Sequence, residues 1–306
     1  MQKIKSTFTA PLLALVVYAL LLSSRYLDFG SIRFKDNIYL SMIILQLLIF
    51  VLPGVFYCKL RTKTPEDMKM KKLSPGKIWF VLTCFGVLVF GSTLINTAVF
   101  HIFGSESQYS LYNTFVPGGG SRILNVVYTV IAFALVPAIT EEYLFRGIIL
   151  SDYSEYGVST AIIMSGIMFS MVHFNLNQFV VYFFCGVVSA YAVYITQSLW
   201  AGMLLHFLNN LYAVFFESVL WDVIKSPNSL IFFLFVIMTL FIVFLVLSFN
   251  GAETILYHAG IRGDQSPPEA KKREGGARLL FEALISPSFL ACVLLFLITT
   301  LFLNNI

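Results

Sequence analysis

The sequence predicts an all-α, polytopic membrane protein of about eight or nine transmembrane helices around a polar intramembrane cavity. Three observations predict it. The 306 residues are 58% hydrophobic and 12% charged, with a mean hydropathy of +0.84, more apolar surface than a soluble core of this size hides. Nine apolar runs approach the ~20 residues that cross a bilayer as a helix. The cations are concentrated between those runs, mainly in two loops.

In chain order the runs are Phe8–Leu27, Ile38–Tyr57, Ile78–Phe103, Leu124–Leu150, Ser159–Phe174, Phe179–Ile195, Trp200–Val219, Leu230–Phe249 and Pro287–Leu303. Lys5 before the first run gives it the outline of a signal peptide, but its length and the spans that follow favour a retained helix. Between the second and third runs, Cys58–Lys77 carries Lys59, Arg61, Lys63, Lys69, Lys71, Lys72 and Lys77. A second basic loop, Gly251–Arg278, carries Arg262, Lys271, Lys272, Arg273 and Arg278. Excess Lys and Arg mark cytoplasmic loops, and the six runs between these two return the chain to one side. Pro267, Pro268, Gly275 and Gly276 make the second loop read as a flexible linker. The chain divides into N-terminal helices and a hinge over 1–120, a core over 121–220, and C-terminal helices with a basic loop over 221–306.

Composition also excludes. Cys58, Cys84, Cys185 and Cys292 are scattered, with no Cys-x-x-Cys pair for a metal or a redox disulfide. The +4 net charge comes without a basic stripe or base-stacking module, so nucleic acid is not an expected partner. Pro117-Gly118-Gly119-Gly120-Ser121 lacks the Gly-Lys-Ser/Thr ending of a phosphate loop; Ser121 is expected to cap the following helix, with the glycines as a hinge. No transporter-type repeat is visible.

Ionisable groups inside apolar runs cost roughly 2.5–3.5 kcal/mol each on insertion scales, so those that persist mark a candidate site. Glu141, Glu142 and Arg146 lie in one such run. Glu142 and Arg146 are four apart and can pair on one helix face, acid N-terminal to base, which leaves Glu141 pointing elsewhere. Pro137, one turn earlier, removes an N–H and is expected to kink the helix. Two of the four His residues, His173 and His206, lie in later apolar runs, and Asn210 shares a helix face with His206. Two imidazoles, an unpaired carboxylate and an amide are the parts needed to activate water and attack a carbonyl. Ala161, Ser165, Gly166, Ser170, Gly186 and Ala190 read as close-packing positions. His101 and His258 read as interfacial, and Asn175 and Asn177 as turn residues.

Taken in order, Glu141-Glu142-x-x-x-Arg146, Phe169-x-x-x-His173 and His206-x-x-x-Asn210 resemble the CAAX-processing and bacteriocin-processing family, the CPBP or ABI intramembrane endopeptidases that include type II CAAX prenyl proteases. The resemblance covers roughly Ser121–Val219. It implies a hydrolase in which Glu141 activates water with His173, while His206 and Asn210 bind the water or the oxyanion. Glu142, Arg146 and Phe169 are then structural. Glu141, His173 and His206 also form a competent zinc set, so a metalloprotease using a divalent metal such as zinc stands beside a metal-free glutamate protease.

The expected setting is a bacterial cell membrane, with a membrane-associated peptide or protein as substrate. Two further classes compete: a non-catalytic scaffold or bacteriocin-immunity protein, and a proton-coupled transporter. Loop charges place His173 across the membrane from the cytoplasmic end of the motif helix, whereas relatives open their cavity to the cytosol. Tilted or re-entrant helices reconcile the two, and the short Ser159–Phe174 run makes re-entry feasible.

Overall fold

The computed structural model describes residues 6–24, 38–103, 122–216, 230–261 and 276–303. They form ten helices: α1 Ser6–Ser24, α2 Ile38–Arg61, α3 Ile78–Phe103, α4 Ile123–Tyr156, α5 Val158–Met171, α6 Phe179–Thr196, α7 Leu199–Phe215, α8 Leu230–Ile261, α9 Gly276–Leu284 and α10 Pro287–Phe302. Among the described residues, each apolar run is helical for most of its length. Among the described residues six helices are long and apolar enough to cross a membrane, or seven if the bent pair α9 and α10 counts as one span. That is fewer than the eight or nine expected, because α5 and α7 fall short. At 1.5 Å per residue, the 14 residues of α5 reach roughly 21 Å against a hydrocarbon core of ~30 Å.

Local sequence explains the breaks. Pro287 disfavours a helical Ser286, which sits at φ −62° and ψ 137°, and the chain turns by 59° there. Gly157, at φ +102°, makes the tight turn from α4 to α5, a backbone conformation that side chains with a Cβ rarely adopt. Two internal prolines are handled differently. Pro53 and Pro137 each follow a widened π-helical turn, Leu47–Val51 in α2 and Val130–Leu135 in α4. The residues four before them, Ile49 and Phe133, lie inside those turns, where the wider helix gives room to the proline ring and has no use for its missing N–H.

The second basic loop begins later than expected. α8 runs unbroken through Gly251 to Ile261, because Gly251 packs on Phe80 and Ala252 is buried. The expected Ser121 cap, the glycine hinge and the Pro267-Pro268 linker lie outside the described residues.

Two apolar cores hold the bundle. One joins α1, α2, α4, α5, α9 and α10, the other α3, α7 and α8, and α6 contributes to both. Within the second, Gly86 and Gly91 on α3 leave space for Phe244 and Phe241 of α8. Between α5 and α6, a Cβ on Gly186 would lie 2.9 Å from the Cα of Gly166, so the predicted small positions do bring these backbones together. Outward faces are apolar, as on α8, where Ile231 is 85% exposed, the surface of an integral multi-pass membrane protein.

The first basic loop docks on the helix ends. Leu199 N–H at the start of α7 donates to the Lys69 carbonyl at 2.8 Å, and Ser198 Oγ to the Lys71 carbonyl at 2.7 Å. Lys77 Nζ donates to the Thr196 carbonyl at the end of α6, and Lys63 pairs with Asp152 of α4 at 2.5 Å. The starts of α3 and α7 and the ends of α2, α4 and α6 thus gather on one side. Burial and the neighbouring Lys63 hold the Lys69 ammonium below its usual pKa, partly offset by Asp67.

Candidate active site

The site lies on the seam between the two cores. α4 contributes the acids and the arginine, α5 Phe169, the turn after α5 His173, and α7 His206 and Asn210. The two widened turns of α4, Val130–Leu135 and Tyr143–Ile149, bracket the short α-helical stretch Val136–Glu142 that carries both glutamates.

Glu142 is the hub of a fully buried cluster. Its Oε1 lies 2.7 Å from Arg146 Nη1, the expected pair four residues apart, with both side chains entirely buried. The same oxygen accepts from His206 Nδ1–H at 3.0 Å, and Oε2 accepts from Ser189 Oγ at 2.8 Å. A carboxylate has no proton to give, so Nδ1 carries the hydrogen and Nε2 is left for other work. Arg146 also donates to the Gly186 carbonyl at 3.1 Å and lies 4.3 Å above the Phe169 ring. Gly202 makes this packing feasible, since a Cβ there would come within 2.5 Å of Glu142 Oε2 and 2.7 Å of Val193.

Glu141 takes the opposite arrangement. It is buried, its Oε1 accepts from Gln46 Nε2 of α2 at 3.4 Å, and its Oε2 has no protein partner. His173 Nε2 is likewise buried without one. The His173 ring stacks on Tyr182 at 3.9 Å, and Phe169 stands edge-on to both imidazoles, 5.1 Å from His173 and 5.6 Å from His206. Asn210 Nδ2 reaches the Ala134 carbonyl in the first widened turn at 3.4 Å, which uses one of its two amide hydrogens. Asn175, outside this cluster, accepts from the Gln178 N–H at 3.1 Å, the turn role expected of it.

The zinc set expected from Glu141, His173 and His206 is not assembled in this arrangement. Among the described residues no group of three or more His, Cys, Asp or Glu is placed to hold a metal ion.

Sequence reasoning missed Gln46, Thr140, Ser189, Tyr182 and Gly202. Gln46 had a signal of its own, an amide in the middle of an apolar run, of the same kind that drew attention to the glutamates. Gly202, one turn before His206, carries no such signal.

Buried acids, a buried arginine and two histidines form a polar site inside the helical membrane bundle. Residues 123–212, less than a third of the chain but all of the motifs, match the family model described as Type II CAAX prenyl endopeptidase Rce1-like. That segment is therefore similar to the type II CAAX prenyl endopeptidases. No curated protein and no solved structure matches the chain.

Proposed function

We propose that the protein is a glutamate-type intramembrane endopeptidase that hydrolyses a membrane-associated peptide or protein. The observation that carries the reading is the division of labour between two adjacent carboxylates. Glu142 is saturated by Arg146, His206 and Ser189, whereas Glu141 keeps one buried oxygen without a protein partner.

In this reading Glu141 Oε2 takes a proton from the attacking water, which His173 Nε2 helps to hold. Glu142 orients His206 through Nδ1, as a carboxylate orients a catalytic imidazole elsewhere, so that Nε2 meets the scissile group. The second amide hydrogen of Asn210 is the donor for the developing oxyanion. Glu141, now protonated, returns its proton to the leaving amine. Arg146 and Phe169 touch no substrate; they hold Glu142 and the two rings.

The family description supports a prenylated, Cys-containing tail as substrate class. The test is cleavage of a farnesylated peptide by the purified protein in nanodiscs. Wild type should cut, and Glu141→Gln should not while keeping its thermal midpoint. Equal cutting by both would reject the mechanism. If instead neither cuts, and the cellular phenotype survives Glu141→Ala and His206→Ala, the polar cluster is the packing core of a scaffold.

A further inference from the structure

We infer that Gln46, braced by Thr140, is the positioning residue that holds the Glu141 carboxylate in its reactive orientation, an inference that rests on Glu141 being the base. Gln46 comes from α2, outside the segment that carries the motifs. Its Nε2 donates to Glu141 Oε1 at 3.4 Å, and its own Oε1 accepts from Thr140 Oγ1 at 2.8 Å. An amide oxygen has no proton to give, so the Thr140 hydroxyl sets which end of the amide faces Glu141. That hydroxyl also lies 3.0 Å from the Val136 carbonyl one turn back, which anchors it to the helix that bears the glutamates.

The result is a carboxylate tethered by one oxygen. Terminal carboxylate torsions are broad and two-fold, so an untethered Glu141 would swing its basic lone pair across many directions. A hydrogen bond to Oε1 narrows that motion and leaves Oε2 as the reacting atom, the one with no protein partner.

The remainder of α2 fixes the height of Gln46. Successive positions on α2 meet successive positions on α4 in parallel register. Gln46 reaches Glu141, and Phe50 stands against Phe145 with ring centroids 6.5 Å apart. Gly54 lets Tyr143 and Ile148 approach so closely that a Cβ would lie 2.7 Å and 3.1 Å from them, and Tyr57 donates to Asp152. An amide between Leu45 and Leu47 in an otherwise apolar stretch is costly unless both of its ends are bonded, and here both are. Apolar packing alone would have filled this position with leucine.

The experiment uses the full chain in nanodiscs with the farnesylated peptide. Gln46→Met keeps length and removes the donor. It should lower kcat on the order of tenfold to a hundredfold, with KM within about twofold and the thermal midpoint near wild type. Thr140→Val should act in the same direction, Thr140→Ser should retain activity, and the double variant should be no worse than Gln46→Met alone. An infrared readout is independent of cleavage: the carboxyl band lost in Glu141→Gln should shift in Gln46→Met.

Unchanged kcat in Gln46→Met, an unmoved band, or a loss of kcat matched by loss of the folded state would overturn the inference. Cleavage that survives Glu141→Gln overturns instead the reading of Glu141 as base, and the role of Gln46 with it. If wild type leaves the peptide intact, the proposed function fails on that substrate, and the infrared shift still decides whether Gln46 holds Glu141.

Discussion

Glu142 and His206, 64 residues apart in sequence, share a buried hydrogen bond of 3.0 Å. It ties α4 to α7 and gives the second carboxylate of the Glu-Glu pair a task that the spacing to Arg146 did not reveal. Glu142 balances a buried arginine and aims an imidazole with the same oxygen. Several variants separate these tasks.

Arg146→Ala removes the guanidinium 2.7 Å from Glu142 and leaves that carboxylate buried beside Ser189, His206 and Gly202. Breaking a buried pair this way costs ~3–5 kcal/mol. The variant should lose thermal stability and cleavage together. Arg146→Lys should rescue little, since an ammonium cannot bond Glu142 and the Gly186 carbonyl in the same planar fork or lie as flat on Phe169. A thermal melt of both proteins checks this; a stable Arg146→Ala would show that Glu142 does not depend on the pair.

Gly202→Ala adds one methyl group where the gap to Glu142 Oε2 and Val193 is smallest. Overpacking of this kind costs ~1–3 kcal/mol. Because the displaced atom is the carboxylate that aims His206, kcat should fall more than stability alone explains. Equal kcat at a temperature where the variant is fully folded would contradict the placement.

Ser189→Ala deletes the single hydrogen bond to Glu142 Oε2. Loss of a hydrogen bond to a charged group costs ~1.5–3 kcal/mol. Since Oε1 keeps both Arg146 and His206, activity should persist at reduced stability, the reverse of the pattern expected for Glu141→Gln. Cleavage abolished in folded Ser189→Ala would mean that Oε2, not Oε1, governs the imidazole.

Lys63→Met tests the docked basic loop. Lys63 pairs with Asp152, which is also bonded by Tyr57, close to the end of α4. Asp152 is nearly buried, so removing its cation should destabilise the fold, and Asp152→Asn in the same chain should restore part of the loss. A midpoint for the double variant below both singles would argue against an ion-pair latch.

The legible part of the site was the part with expensive residues. Glu142 and Arg146 announced their pairing by spacing and by cost in an apolar run, and His173, His206 and Asn210 by their scarcity and spacing. Partners across helices were not legible, because spacing along one helix says nothing of which face of another it meets. Ser189 looked like any small packing residue, and only the fold turns it toward Glu142. The nine apolar runs were also readable, and the Ser159–Phe174 run already read as short, whereas the length of Trp200–Val219 did not mark α7 as short. Nor did Pro137 reveal that its clash would be absorbed by a widened turn.

The central claim is that two neighbouring carboxylates do different work, one in the reaction and one in holding the imidazole and the arginine. The most direct measurement sets Glu141→Gln beside Glu142→Gln in one preparation, recording the thermal midpoint and the cleavage rate of each. Glu141→Gln should be inactive with a midpoint at or above wild type, since it removes a buried charge bonded only by Gln46. Glu142→Gln should lose activity and stability together, because Arg146 is then buried without its counter-ion. A destabilised Glu141→Gln beside a stable, inactive Glu142→Gln would contradict the account and assign the base to Glu142.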